Sequence, residues 1–259
     1  MSSPPFAPSG HVPTLAGTLT ALLQADFTVQ LRSGRALVLN FLPPLVLLYG
    51  LNAGKRGAQL GDPIFRVAAA LTLGIASIAI LGYSATVARD REQGVFQRLR
   101  VTPAPTWTIM VSRLTVQVIA MLVMAVVVLL AAAIVEKVSV VPPAYALTLL
   151  VVIFSSAVFL GVGQALVGLI KSTDTVNAVG RLSYLPLFVL GLFAHSAIFG
   201  TAFETIARWS PGGAVATLLS GAMQPASWSA ETWWALLASL LYSAVFAGVG
   251  IRWFQWGTR

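Results

Sequence analysis

Residues 67–87 read VAAALTLGIASIAILGYSATV, and residues 88–107 continue ARDREQGVFQRLRVTPAPTW. The first stretch carries no charged side chain and is as long as the roughly 20 apolar residues that a helix needs to cross the hydrocarbon of a bilayer. The second gathers Arg89, Asp90, Arg91, Glu92, Arg98 and Arg100 in a chain where only 9% of residues are charged. Another long apolar run begins at Leu114. The pattern is that of a membrane-crossing helix, a charged water-facing loop and a second crossing helix.

The rest of the chain has the same composition. Of its 259 residues 57% are hydrophobic, and the mean hydropathy is +0.85. Soluble domains carry about a quarter charged residues. An all-α polytopic membrane protein follows, with six transmembrane helices expected at 36–53, 67–87, 114–135, 144–170, 182–203 and 233–251, none containing Asp, Glu, Lys or Arg. Orientation is read from Lys and Arg, which collect on cytoplasmic loops. With the N-terminus inside, Arg32, Arg35, Arg89, Arg91, Arg98, Arg100, Arg113, Lys171, Arg181, Arg252 and Arg259 fall on the inner side. Lys55, Arg56, Arg66, Lys137 and Arg208 fall outside, with the basic 54–66 loop as the dissenting segment. Eleven against five places both termini in the cytoplasm of a multi-pass cell-membrane protein. The net charge of +8 is thereby explained without nucleic acid.

Three segments lie outside this scheme of spans. Residues 1–14 are rich in Pro and Ser, read as a flexible N-terminus, and show no cleavable leader. Residues 15–35 place Leu15, Leu19, Leu22, Leu23, Asp26 and Leu31 at rough helical spacing, which predicts an amphipathic interfacial helix. Residues 36–259 form the transmembrane domain. Within it, 204–232 is too polar for a span and too apolar for a solvated loop. Pro211-Gly212-Gly213 breaks it and Val215–Met223 is apolar again, so a re-entrant outer hairpin between spans five and six is expected, covered by protein at its ends.

Several chemistries are disfavoured. The absence of cysteine rules out disulfides and thiolate metal sites. Gly50 to Arg56 resembles a phosphate-binding loop only superficially: the spacing is one residue short, Arg56 stands where Ser or Thr belongs, and no βα unit surrounds it. No zinc-protease, serine-hydrolase or paired-aspartate motif is present, and His11 and His195 are the only histidines, so no metal site is expected. His195 reads most simply as an interfacial histidine hydrogen-bonded to a neighbour, with contact to substrate as the sharper alternative. Ion-coupled carriers place acids within their spans, and these spans have none. The remaining special residues have plain roles. Gly161, Gly163 and Gly168 allow close helix packing, and Trp228, Trp233, Trp234, Trp253 and Trp256 anchor the interface.

The 88–107 loop remains the informative element. Gly94 permits a bend or close backbone approach, and Val95, Phe96 and Leu99 give a short helix an apolar face beside Gln97, Arg98 and Arg100. The helix stops near Thr102-Pro103, because the residue before proline avoids the α region. An apolar face with a charged rim suits insertion into a groove of another protein; a basic loop lying on anionic lipid is the plainer alternative.

The order Glu92, Gly94, Arg98-Leu99, Thr102-Pro103 resembles the cytoplasmic coupling loop of ABC-2 type transporter permeases. More loosely, Pro186 to Gly191 with Trp209, Pro211 and Ala216 resembles that family's fifth helix and outer hairpin. The resemblance implies a permease subunit of an ATP-driven exporter, not itself an enzyme. It implies two permease copies, as a homodimer or a related heterodimer, and two ABC ATPase subunits that bind the ATP and Mg; this chain needs no cofactor. It assigns docking on the ATPase to Arg89, Arg91, Glu92, Gly94, Phe96, Arg98, Leu99, Thr102 and Pro103. Glu92 and the arginines are expected to hold the joint by charge, and Phe96 and Leu99 to seat it. The substrate pathway is expected near Asn40, Pro43, Pro44 and His195. Spans without charge favour a hydrophobic or amphipathic substrate such as a drug, lipid or glycolipid. A polysaccharide or glycoconjugate exporter of the same family, an intramembrane enzyme and an ATP-independent channel are the alternatives.

Overall fold

Asp62 starts the central helix of the protein. Its Oδ1 accepts the Phe65 N–H at 2.9 Å and Pro63 opens the first turn, so an orphan donor is satisfied and no N–H is wasted. In the computed structural model, which describes residues 14–32, 34–53, 62–100, 105–135, 141–195 and 199–253, helix α3 runs from Pro63 to Ala76 and every residue from Ile64 to Ala76 is buried. A helix apolar on all sides belongs in the middle of a bundle. It continues through a π-helical segment, Ser77–Tyr83, into α4, Ser84–Glu92. The whole rod is 30 residues long. The wider turn is marked by the Ser84 N–H, which donates to Ala79 O five residues back, while the Ser84 hydroxyl donates to Ile80 O.

The other helices pack around this rod. They are α1 (Leu15–Arg32), α2 (Gly34–Ala53), α5 (Val95–Arg100), α6 (Thr106–Val135), α7 (Pro142–Leu169), α8 (Thr173–Leu192), α9 (Thr201–Trp209), α10 (Pro211–Met223) and α11 (Ala230–Trp253), with one 3₁₀ turn at Pro225–Ser227. No strand occurs among the described residues. One large core joins most of them, with Leu71, Ile75, Met124, Phe159 and Leu218 fully buried, and Phe65, Ala194 and Ala216 form a smaller cluster beside it.

Among the described residues, five helices are long and apolar enough to cross a membrane: Pro63–Glu92, Trp107–Val135, Pro142–Leu169, Thr173–Leu192 and Ala230–Trp253. Phe41–Gly50 within α2 is a shorter apolar helix. The helix expected at 182–203 lies instead at 173–192. It starts earlier because its first turn is stabilised from outside by Glu92 and from within by Asp174, both acidic groups favoured at a helix N-terminus. It ends at Leu192, before His195. Helix α6 likewise begins at Thr106 rather than 114. The two prolines of α2 leave it a continuous helix, with Pro44 buried where α2 crosses Gly74 of α3.

The segment after α8 forms two short helices joined at Ser210. Ser210 caps α10: its hydroxyl accepts the Gly213 N–H at 3.0 Å, and Pro211 takes the first position. Nearly all of the thirteen residues of α10 are buried. Its entry works only with glycine, because a Cβ at Gly213 would meet Ala207 O at 2.0 Å and one at Gly212 would meet Leu187 O at 2.3 Å. Helix α1 buries no residue fully; it lies against α6, where Ser112 Oγ donates to Asp26 Oδ2 at 2.6 Å.

Candidate coupling site

The charged stretch after the central rod folds into a turn rather than a loose loop. Gly94 adopts φ +68°, the left-handed conformation that ends helices. The Gln93 N–H donates to Arg89 O at 2.9 Å and the Gly94 N–H to Arg91 O at 3.2 Å, closing α4. Helix α5 then departs in a new direction.

Two side chains fasten this turn to the junction of α7 and α8. Arg91 is 2% exposed. Its Nη1 donates to Val167 O at 2.7 Å, and its Nη2 donates to Ile170 O at 2.7 Å and Lys171 O at 2.6 Å. Val167 O is a carbonyl that the last turn of α7 leaves unpaired, Ile170 O and Lys171 O belong to the link that follows, and a guanidinium fork is the group that reaches all three at once. Glu92 secures the other side of the junction. Its Oε1 accepts the Thr173 N–H at 2.7 Å. Ser172, at the cap position of α8, makes no side-chain cap hydrogen bond, and Glu92 supplies one from a different helix.

A third tie holds α5. Phe96 is fully buried, with the Arg113 guanidinium 5.1 Å from its ring centre, and Arg113 also pairs with Asp90. Gln97 and Arg98 remain exposed on the far side of α5, with Glu92 and Gln93 exposed at the turn and Arg89 exposed on α4. Two of the expected docking residues therefore turn inward. Arg91 and Phe96 brace the turn against the chain's own bundle, because unpaired carbonyls and an apolar ring both gain more there than in water. The side chain of Leu99 and the whole of Thr102 and Pro103 lie outside the described residues.

The proposed pathway residues do not join this site. Pro43 is half-buried and Pro44 buried against α3; the Asn40 side chain lies outside the described ones. His195, beyond the end of α8, packs its ring 4.5 Å from that of Phe65, with Nε2 3.4 Å from Glu231 Oε1. Burial pushes His195 below its ordinary range, and Glu231 opposes that shift. Arg208 bridges Glu204, one turn before it on α9, and Glu231 at 3.2 Å on α11. A cavity of about 350 Å³ opens beside these groups. The Glu204–Arg208 pair has a sequence signal, the four-residue spacing of a helical ion pair. The Asp90–Arg113, Tyr83–Gln164 and Glu92–Thr173 contacts join distant elements and have none.

Long apolar helices packed in one bundle, with a braced polar turn between two of them, define a multi-pass helical membrane protein. The chain belongs to the ABC-2 type transporter family, whose model matches residues 18–223, from α1 to the end of α10 and through the whole braced turn. Among curated proteins nothing matches it. Proteins of this family are transport subunits that work with ABC ATPases.

Proposed function

We propose that this chain is the permease of an ATP-driven exporter and that ATPase subunits dock on the 88–107 turn. The observation that carries this reading is the bracing. A loop lying passively on lipid needs no internal anchor, whereas a lever must be rigid. Arg91, Glu92 and Phe96 tie the turn to α7, α8 and the core, while Glu92, Gln93, Gln97 and Arg98 are left facing outward. Force on α5 passes through these ties to the α7–α8 junction, and so to two spans at once. Glu92 serves both sides: one oxygen caps α8 and the exposed carboxylate remains part of the docking rim.

In this reading α2 is the first of six spans, α1 lies at the cytoplasmic interface of the cell membrane, and both termini are cytoplasmic. Helices α9 and α10 form the outer re-entrant hairpin. ATP and Mg belong to the two ATPase subunits, and two permease copies enclose the pathway. The uncharged spans favour a hydrophobic or amphipathic cargo. Co-expression with an ABC ATPase tests the docking. The wild-type permease is expected to copurify with it, and Arg98→Glu to lose the ATPase while remaining folded. Copurification undiminished by Arg98→Glu together with Gln97→Glu would show that the partner binds elsewhere.

A further inference from the structure

A second cavity, of about 640 Å³, lies between α6, α7 and α11 and is bordered at one end by the π-helical segment of the central rod. Its walls include Trp107, Ile153, Ala157 and Ile251, with Tyr83 and Gln164 as polar members. Trp107 is 52% exposed, Ile153 48% and Ile251 75%, so the cavity opens sideways between spans and is not sealed within the core. In a bilayer the medium at that opening is hydrocarbon. An apolar hollow left empty there would deprive its walls of dispersion contacts, and its volume lies in the range of small-molecule pockets, about 300–1,000 Å³.

The polar groups narrow the choice of occupant. Tyr83 Oη donates to Gln164 Oε1 at 2.5 Å. That bond occupies the amide oxygen of Gln164, a residue of the cavity wall, and leaves its Nε2 hydrogens as the donors the side chain has to offer. Ser156, the other hydroxyl on the wall, donates to Ile153 O of its own helix at 2.6 Å. The site therefore offers hydrocarbon walls and one neutral amide donor, with no charged residue among its lining side chains. A neutral carbonyl at the end of a long apolar chain matches both. Depth agrees: Gln164 is one turn before Val167, whose carbonyl Arg91 holds, and Trp107 opens α6 just after the charged turn. Both mark the interfacial end of the spans, where the acyl esters of membrane lipids lie and where Trp is favoured.

We propose that this cavity is a lipid site: one acyl chain of a glycerolipid, from the leaflet on the side of the 88–107 turn, fills it, and the chain's ester carbonyl accepts from Gln164 Nε2. The site stands apart from ATPase docking and does not depend on it. Its occupant touches Tyr83, the last residue of the π segment, from which α4 leads directly to the braced turn.

The test uses the full chain in nanodiscs made with phosphatidylcholine carrying a diazirine in its acyl chain. After irradiation, label mapped by peptide mass spectrometry is expected to concentrate on the cavity segments of α6, α7 and α11. Ala157→Phe, which fills the cavity from an exposed position on α7, should lower that label several-fold, and Val245→Phe, on the exposed face of α11 outside it, should not. Label spread evenly over the lipid-facing helices, or undiminished by Ala157→Phe, overturns the site. Should Ala157→Phe misfold, chain-brominated phosphatidylcholine is expected to quench wild-type fluorescence more than that of Trp107→Phe, and equal quenching overturns it as well. The ester contact has its own readout. Ester-linked phosphatidylcholine should compete for labelling better than its ether-linked analogue in the wild type and equally well in Gln164→Leu; equal competition in the wild type removes Gln164 from the site.

Discussion

At the scale of single residues, Arg91 shows how a charge that reads as a docking contact becomes a brace. Its three acceptors lie 76 to 80 residues further along the chain, so nothing in residues 88–107 announces them. What was legible was local: a glycine where the chain must turn, and acid and base crowded at a helix end. Arg91→Ala is expected to leave carbonyls of the α7 terminus buried and unpaired, at about 1–3 kcal/mol for each one that water cannot reach. The thermal midpoint of the purified permease should fall clearly. Arg91→Lys should recover only part of the loss, since a single ammonium does not reproduce the fork. A wild-type midpoint in Arg91→Ala would mean that the three hydrogen bonds contribute nothing. Gly94 is a second case. Its φ of +68° costs a residue with a Cβ about 1–2 kcal/mol, and the space around it is otherwise open, so Gly94→Ala acts through backbone strain and not through a clash. It should loosen the turn, measured as faster tryptic cleavage after Arg98. Unchanged cleavage would show that the turn absorbs the strain.

At the scale of elements, the apolar spans were legible because length and hydropathy are local properties, while their ends were not. Helix α8 is moved by Glu92, a cap from another element, and the π segment of the central rod has no periodicity that a sequence displays. The pair α9–α10 was legible as a broken apolar segment through Pro211-Gly212-Gly213. That α10 is buried on nearly every side emerges only from its packing against α3, α7, α8 and α11. Gly213→Ala places a methyl 2.0 Å from Ala207 O, backbone that has no side chain to move aside, so α10 must be displaced from its slot. Lower yield of folded protein and a lower thermal midpoint are expected, and a variant as stable as wild type would show that the slot is loose. The cluster of His195, Glu204, Arg208 and Glu231 ties α9 to α11. Burial lowers the folded-state pKa of His195 below its unfolded value, so the folded state binds this proton less readily. The stability it contributes is full above the ordinary histidine value of about 6.5 and is lost as pH falls below it. Wild type should therefore lose more thermal stability than His195→Gln between about pH 7 and 5. Parallel curves would show that His195 titrates alike in both states.

At the scale of the whole molecule, the arrangement has two polar ends joined by an apolar middle: the braced turn of α4 and α5 at one, and the Glu204–Arg208–Glu231 cluster of α9 and α11 at the other. In the orientation proposed above, these ends face opposite compartments. Gln97 on α5 and Ser227 in the 3₁₀ turn before α11 are both exposed and mark them. The cysteine-free chain permits a direct measurement. Gln97→Cys is expected to react with a membrane-impermeant maleimide only after the cell membrane is opened, and Ser227→Cys in intact cells. Reaction of both from one side would remove the transmembrane path between the two ends, and with it any means by which a push on α5 could move α9 and α10. Reaction from opposite sides makes mechanical transmission the next requirement. The rod from Pro63 to Glu92 supplies it, because one continuous helix connects Phe65, whose ring packs 4.5 Å from that of His195, to Glu92, which caps α8. A disulfide-free lever of this kind needs its π segment to stay packed. Tyr83→Phe, which keeps the ring and deletes only the hydroxyl bonded to Gln164, is therefore expected to leave surface labelling at both ends unchanged while lowering transport in the assembled complex. Full transport by Tyr83→Phe would place the moving joint elsewhere along the rod.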